Sequence, residues 1–287
     1  MHFTILAASL ACLASAAPHL NKRQTDDTTG GNYTIPAPIV VDAETAAAAA
    51  ELNAQLAKEA RAQVTNVDRY KYLLSKNFES EELAGKAELQ SRAVFDFNKA
   101  AEAGEGGRSI SVTEKSFPML VGNNMATTVV FLSACGMNSP HIHPRASEFI
   151  TLVQGGVTVG FTLENGFFAP DGGLASEVRL NLSPFQATVF PQGSIHYQFN
   201  DNCAPATFIA TLNSNDPGTS QVAQNFLGQN RRVVQTVLGG AEQIDATSLD
   251  AFRQNLPANL VLDMEKCMTR CEIATEAASA PTPYGNA

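Results

Sequence analysis

The sequence predicts an all-β core with helices on both sides of it. Residues 109–213 contain about eight short runs rich in β-branched or aromatic residues, separated by Gly, Pro, Asn or Asp. In the run Val157–Thr162, apolar residues alternate with small or polar ones, which is the period of a half-buried strand. Many short strands with close turn signals are typical of a sandwich or jelly roll. Because no internal repeat is visible, we expect a single barrel.

The predicted strands follow the runs of β-forming residues. They are Ser111–Glu114, Thr127–Ser133, Glu148–Val153, Val157–Thr162, Val178–Leu182, Ala187–Phe190, His196–Phe199 and Ala206–Leu212. A further short strand is predicted at Phe95–Phe97. Four phenylalanines are predicted to lie in the core or to line the barrel: Phe149, Phe161, Phe190 and Phe199.

The predicted helices lie outside this region. Residues 24–92 are expected to form a disordered arm, over 24–40, and a helical extension. One helix is predicted from the cap Asp42 to about Ala62, and a second is predicted after Ser80. Residues 229–287 are predicted to form a helical C-terminal extension and tail. The helical segments beyond the β-rich region are predicted near Gln221–Leu227, Ser248–Asn255 and Leu260–Arg270.

The N-terminal residues have the pattern of a secretion signal. An apolar stretch, Ile5–Ala14, runs into the small-residue cleavage pattern Ala14-Ser15-Ala16, which predicts a signal peptide over 1–16. The dibasic pair Lys22-Arg23 then indicates a propeptide over 17–23. The alternative is a buried N-terminal helix. The signal predicts a secreted protein, located outside the cell or in the cell wall.

The charge balance narrows the classes of partner. The chain has 28 acidic and 19 basic residues, a formal net charge of −9, which becomes −11 when Lys22 and Arg23 are removed. An anionic chain is not attracted to nucleic acid or to anionic lipid, so neither is expected as a partner. No apolar run reaches the roughly 18–20 residues of a membrane-spanning helix.

Four cysteines remain once Cys12 leaves with the signal: Cys135, Cys203, Cys267 and Cys271. An even number in a secreted chain predicts two disulfides, with three pairings open. A zinc site on the C-x-x-x-C spacing is the alternative. Glycosylation is predicted at Asn32 and Asn181, which begin the sequons Asn-Tyr-Thr and Asn-Leu-Ser.

Three histidines and one glutamate form the candidate metal site. His141 and His143 are two residues apart, so on an extended strand they point to the same side. Glu148 begins the next predicted strand, and His196 lies on a later strand of the same barrel. Imidazole and carboxylate ligands that converge in this way leave coordination positions open on a divalent metal. The alternative for an H-x-H pair is an exposed strand.

The segments around these residues resemble the two sequence motifs of the germins, which belong to the cupin family. Residues 139–156, SPHIHPRASEFITLVQGG, are similar to the first motif, and residues 190–200, FPQGSIHYQFN, are similar to the second. Phe95–Asn98 and Asn213–Gly218 resemble spherulin-like members from fungi. The resemblance covers about residues 93–228, the predicted cupin domain.

The resemblance implies a double-stranded β-helix barrel with the metal inside one mouth, held by His141, His143, Glu148 and His196. The metal implied is manganese, although iron, nickel, copper or zinc would also fit these ligands. The helical extensions imply a homo-oligomer. Each germin motif usually opens with glycine, and the matching positions hold Cys135 and Phe185, where a local change of the backbone is expected.

Two classes of function follow from the resemblance. One is a redox metalloenzyme acting on superoxide, oxalate or another small organic acid. The other is a non-enzymatic structural or storage protein of the cell wall, spore or cyst, with a cell-wall ligand. Three residues are candidates for substrate binding. Asn138 matches one of the two asparagines that oxalate-oxidising germins place near the metal, and Thr128 stands where the other would be. Arg145 follows the H-x-H pair and could receive an anion; the alternative is a structural salt bridge within the turn.

Overall fold

The computed structural model describes residues 42–78, 80–98, 102–167, 176–240, 247–249, 251, 260–262 and 265–273. The predicted signal peptide, propeptide, arm and Asn32 lie outside the described residues. The helix predicted near Ser248–Asn255 is described only at 247–249 and 251, which are helical. In the part of the chain that the structure describes, no helix combines the length and the apolarity required to cross a membrane.

The predicted jelly roll is confirmed, because the strands form two antiparallel sheets. The described strands are β1 Glu102–Gly104, β2 Gly107–Val112, β3 Ala126–Leu132, β4 Gly136–Ile142, β5 Glu148–Gln154, β6 Val157–Thr162, β7 Glu177–Leu182, β8 Ala187–Phe190, β9 Ile195–Phe199, β10 Ala206–Leu212, β11 Ser220–Gln221 and β12 Leu260–Leu262. One sheet has the order β1-β2-β3-β10-β5-β8, and the other has the order β11-β4-β9-β6-β7 with β12 also paired to β4.

The hydrophobic core lies between the two sheets. On β5 the side chains of Ile150 and Leu152 are fully buried, and they belong to one cluster with Val159 of β6 and Phe208 of β10. Each buried side chain of this size contributes about 1.5–3 kcal/mol through removal from water. The alternate residue Phe149 is 52% exposed on the outer face, so the prediction that it lies in the core is wrong. The period of two places it on the opposite face from Ile150.

In the described residues, three α-helices precede the barrel. Helix α1, Ala43–Ala62, begins as predicted after Asp42, whose carboxylate accepts a hydrogen bond from the Thr45 backbone N–H at 2.8 Å. Helix α2, Asn66–Leu74, was not predicted. Helix α3, Lys86–Ala93, begins after Gly85, so the helix predicted directly after Ser80 starts later in the structure. After β11 come helices α4, Val222–Leu227, and α5, Arg231–Val237.

Three further predicted elements differ in the structure. The strand predicted at Ser111–Glu114 begins earlier, at Gly107, and ends at Val112. Phe95–Phe97 is not a strand, and the Phe95 ring instead packs edge to face against Phe97 and Phe117. Leu260–Arg270 is not one helix, because its first residues form β12 and the helix described in this range is Glu265–Arg270. The pairing of β12 with β4 satisfies backbone groups that a helix would have satisfied locally.

The four cysteines form two disulfides, as predicted. Cys135 is bonded to Cys267 and Cys203 is bonded to Cys271, with S–S distances of 2.05 and 1.98 Å. The zinc alternative does not apply to this arrangement, because each sulfur is already bonded to another. Asn181 is exposed on β7, and its side-chain oxygen accepts a hydrogen bond from Thr158. Its glycosylation stays a prediction.

Cys135 and Phe185 both adopt the left-handed backbone conformation that favours glycine, with φ of 59° and 64°. The expected local change of the backbone is therefore not seen at these two positions, because both residues take the conformation that a glycine would adopt. An L-residue pays about 1–2 kcal/mol for this conformation, because its Cβ approaches the following carbonyl oxygen.

Replacing Phe185 with glycine is expected to raise the free energy of unfolding by about 0.5–1 kcal/mol, since relief of the strain exceeds the extra entropy of the unfolded glycine. The Phe185 ring is 86% exposed, so little packing is lost. Urea denaturation measures the change. The matched control Phe185→Ala keeps a Cβ. Equal stability of the two variants would contradict the claim that the backbone at this position is strained.

Candidate metal centre

Three strands and one turn bring the four predicted ligands together. His141 near the end of β4 is in register with His196 on β9, and His143 follows β4 directly. Glu148 begins β5 in the other sheet. Each residue offers one ligand atom, and these four atoms lie within 4.8 Å of one another. The sequence-predicted residues therefore converge between the sheets.

The cluster is buried. The exposed fractions of His141, His143, Glu148 and His196 are 3%, 9%, 3% and 1%. The ring of His196 stacks on Phe190, with centroids 4.5 Å apart and planes 16° from parallel. An exposed strand pair, the alternative for H-x-H, is excluded by this burial. A buried group of three imidazoles and a carboxylate needs partners, because polar groups removed from water are costly when unpaired.

Backbone carbonyls fix the orientation of all three imidazoles. The Nδ1 atoms of His141, His143 and His196 lie 2.7, 2.5 and 2.9 Å from the carbonyl oxygens of Ser139, Gly218 and Ser194. A carbonyl only accepts a hydrogen bond, so each Nδ1 carries the proton. The lone pair of each Nε2 is then available inside the cluster, as in metal-ligating histidines generally.

The close contact between His143 and Glu148 is stable only with a proton or a cation between the two side chains. Nε2 of His143 lies 2.9 Å from Oε2 of Glu148, and Nε2 of His196 lies 3.5 Å from the same oxygen. A neutral imidazole whose proton is on Nδ1 presents a lone pair to this carboxylate, and the two repel. The approach is favourable when His143 is an imidazolium or when a cation is shared by the nitrogen and the oxygen. The residues thus fit a metal ion.

A second observation agrees with this fit. Nε2 of His196 is buried and has no hydrogen-bond partner among the described residues. Leaving such an atom unsatisfied costs about 1–3 kcal/mol, whereas a coordinated cation would satisfy it. Three nitrogen ligands and one carboxylate suit manganese, iron, nickel, copper or zinc.

Burial and mutual charge shift the pKa values in the cluster. Burial, with the nearby charge of His196, lowers the pKa of His141 to about 3. Burial opposes the charge on Glu148, but its contacts with the imidazoles of His143 and His196 outweigh this effect and lower the pKa of Glu148 to about 2. Burial also opposes the charge on His143, but the hydrogen bond to Glu148 and its charge raise the pKa of His143.

The metal-free protein is expected to lose stability as the pH falls below about 6.5. His141 stays neutral in the folded state down to about pH 3 and ionises near its ordinary value of 6.5 when unfolded. The unfolded state therefore binds more protons in this window, which lowers the free energy of unfolding by at most about 1.4 kcal/mol per pH unit. Below about pH 4.5, protonation of Glu148 in the unfolded state lowers the free energy of unfolding further. The raised pKa of His143 has the opposite effect on stability, but only above about pH 6.5.

Urea denaturation with a chelator present, at several values between pH 5 and 7, measures this slope. His141→Gln is the comparison, because it keeps a polar side chain that does not titrate. An equal slope for the two proteins would contradict the assignment.

Asn138 lies beside a residue that the sequence did not single out, Gln198. The two are in register on β4 and β9, and Asn138 Nδ2 donates to Gln198 Oε1 at 2.6 Å. His196 and Gln198 share the inward face of β9, because they are two residues apart. In the described part of the chain, Asn138 Oδ1 and Gln198 Nε2 are buried and have no hydrogen-bond partner.

Thr128 and Arg145 are placed differently. Thr128 is on the same face of β3 as the core residue Val130, and its hydroxyl lies 2.8 Å from that of Ser111. Arg145 binds Asp216, with Nε donating to the backbone oxygen at 2.7 Å and Nη2 lying 3.0 Å from Oδ1. It thereby supports the loop whose Gly218 carbonyl holds His143. Substrate binding by these residues stays a prediction.

Comparisons with known proteins agree with this architecture. The family model described as Cupin matches residues 97–248. Spherulin-1A of Physarum polycephalum is 38% identical over 181 residues, which is 62% of this chain and 69% of that protein. Germin-like protein 4-1 of Oryza sativa subsp. japonica is 36% identical over 154 residues, 54% of this chain and 59% of that protein.

A solved structure of recombinant oxalate oxidase in complex with glycolate is similar as well. The match has 23% sequence identity, covers 60% of this chain and 85% of the oxalate oxidase chain, and has a TM-score of 0.46. The family match extends over more than half of the sequence, and it includes all four clustered residues. The chain belongs to the cupin family and is similar to the spherulins and the germin-like proteins within it.

Proposed function

We propose that this protein is a secreted cupin that binds one divalent metal, manganese, through His141, His143, Glu148 and His196, and that it acts as a redox metalloenzyme on superoxide or a small organic acid. The observation that carries the proposal is the orientation of the cluster. Three imidazoles present Nε2 towards one carboxylate, and each Nδ1 is bonded to a backbone carbonyl.

The ligand chemistry supports manganese over softer metals. The cluster offers imidazole nitrogen and carboxylate oxygen, and the cysteines among the described residues are in disulfides and offer no thiolate. Carboxylate ligation suits Mn(II), and thiolate ligation selects Cu(I) or zinc. Four protein ligands leave coordination positions for a small molecule. When bound, the metal would supply redox chemistry and polarise the substrate.

The residues beside the cluster support a small anionic substrate. Gln198 Nε2 can donate to a carboxylate, while Asn138 Oδ1 can accept from a protonated acid or from water. The Phe190 ring stacks on His196 and also packs against Phe161, and the two phenylalanine ring centroids are 5.9 Å apart. These rings exclude water from that side of the cluster. In this proposal the amides of Gln198 and Asn138 bind and orient the substrate.

Metal analysis combined with two assays tests this proposal. We expect one manganese per chain in protein purified from its native source, together with turnover of superoxide or oxalate. Gln198→Ala is expected to keep the metal and to lose turnover, whereas Val261→Ala, on a different strand and outside the site, keeps both. Stoichiometric metal with no turnover of either substrate would contradict an enzymatic role.

The 38% identity to Spherulin-1A supports a second candidate function. In it the protein is a non-enzymatic component of the cell wall, spore or cyst, and the metal stabilises the barrel or helps to bind a cell-wall carbohydrate. Chelation would then lower the melting temperature without removing any activity. Retention of oxalate or superoxide turnover by the purified protein would argue against this candidate.

Secretion and self-association complete the proposal. The two disulfides support an oxidising compartment, and the N-terminal signal pattern agrees with it. We propose a homo-oligomer in which the helical extensions make the contacts between copies. Size-exclusion chromatography with light scattering tests this, and the mass of a single chain at micromolar concentration would contradict it.

A further inference from the structure

The outer edge of β4 is shared by two strands from different parts of the chain. Strand β11 pairs with its last residues, His141 and Ile142. Strand β12 pairs with its first residues, and there Leu260 is opposite Asn138. The metal-binding half and the amide-bearing half of β4 are therefore supported independently.

β12 is also held by the other sheet. The backbone N–H of Gly106, in the turn between β1 and β2, donates to the Leu260 carbonyl at 3.3 Å. Gly104 and Gly106 approach the backbone of β12 so closely that neither position has room for a Cβ. The side chain of Leu260 is 4% exposed and lies in the main core cluster. This strand thus closes the barrel between the two sheets.

Covalent bonds fasten the segment that follows β12. Cys267 is bonded to Cys135, the residue that directly precedes β4, and Cys271 is bonded to Cys203. Arg270 adds hydrogen bonds to the backbone and side-chain oxygens of Asp201, both at 2.7 Å. We name β12 together with residues 265–271 the C-terminal clasp.

We infer that the C-terminal clasp holds Asn138 in register with Gln198, and that Leu260 is the positioning residue through which it acts. Because register partners on antiparallel strands face the same side, Leu260 packs inside the barrel next to Asn138. The hydrogen bond from Asn138 occupies Gln198 Oε1 and leaves Gln198 Nε2 without a partner among the described residues, so a shift of Asn138 would reorient this donor. The inference rests on the proposed role of these amides in ligand binding.

The experiment compares Leu260→Ala with Val261→Ala in the full-length, manganese-loaded protein. Val261 is on the same strand with its side chain on the opposite face, so it is a matched control. Three quantities are measured: manganese per chain, the affinity for oxalate from its effect on the Mn(II) EPR spectrum, and hydrogen exchange of the backbone amides at 136–138.

Leu260→Ala is expected to keep one manganese, to accelerate exchange at 136–138, and to weaken oxalate binding about tenfold, the equivalent of one misplaced hydrogen bond. Val261→Ala is expected to match the parent protein. In an Asn138→Ala background, Leu260→Ala should weaken oxalate binding no further, since Leu260 acts through Asn138.

The possible outcomes separate the two claims. If the parent protein binds manganese but not oxalate, the proposed ligand is wrong, and hydrogen exchange at 136–138 still decides the role of the clasp. Unchanged exchange in Leu260→Ala, equal effects of both variants, or loss of manganese with Leu260→Ala would each overturn the inference. Leu260→Val is the milder replacement that gives the same comparison if the alanine variant does not fold.

Discussion

Replacing His141 with alanine is expected to abolish stoichiometric metal binding. Loss of a partner that merely orients a ligand weakens metal affinity about 10–100-fold, so the loss of a ligand itself should weaken it by at least about 100-fold. His141 is central to the cluster, with its ring 4.3 Å from that of His196 and 5.1 Å from that of His143. Elemental analysis and titration with Mn(II) followed by EPR measure the effect.

Thermal unfolding gives a second measurement of the same change. A metal at 100 times its Kd stabilises the folded state by about 2.7 kcal/mol, so added manganese should raise the melting temperature of the parent protein but not that of His141→Ala. Asn138→Ala is the matched control, because Asn138 is a buried polar residue of the same strand outside the cluster. Manganese-dependent stabilisation of His141→Ala equal to that of the control would contradict the ligand assignment.

Removing the disulfide between Cys135 and Cys267 is expected to cause the largest loss of stability. The two residues are 132 positions apart in sequence. The chain-entropy model gives about 5 kcal/mol for a loop of this length, and loss of native disulfides costs about 2–5 kcal/mol. The paired variant Cys135→Ala with Cys267→Ala should unfold at a much lower urea concentration than the parent protein.

The second disulfide provides the comparison. Cys203 and Cys271 are separated by 68 positions, so the model predicts a slightly smaller loss for their paired replacement. Both pairs are replaced with alanine to avoid free thiols that would form other disulfides. A loss below about 1 kcal/mol for both pairs would mean that packing and the Arg270 contacts hold the segment without covalent help.

Three members of the metal cluster could be predicted from the sequence because they lie close together along the chain. The spacing of His141 and His143 fixes their common face, and Glu148 opens a strand that has strong β-forming residues. His196 is distant in sequence and was joined to the others only through the resemblance to the cupin motifs. The structure brings it into register with His141.

The elements that were missed depend on distant pairing. Strand β4 was absent from the predicted strands because Gly136, Asn138 and Pro140 are weak β-formers, and pairing along both of its edges overrides their preference. The strand at Leu260 is predicted as helix because its pairing with β4, which is distant in sequence, is not visible in the residues themselves. Gln198 was missed because the sequence does not reveal which polar side chain of an inward-facing strand lacks a partner in the folded barrel.

The imidazole orientation has a consequence for sequence drift. The acceptors at Ser139, Ser194 and Gly218 are backbone oxygens, so no substitution at these three positions deletes an acceptor. Mutations there alter the cluster only by moving the main chain. The aim of these two rings, His141 and His196, therefore depends on the path of the main chain rather than on the side chains that stand at Ser139 and Ser194.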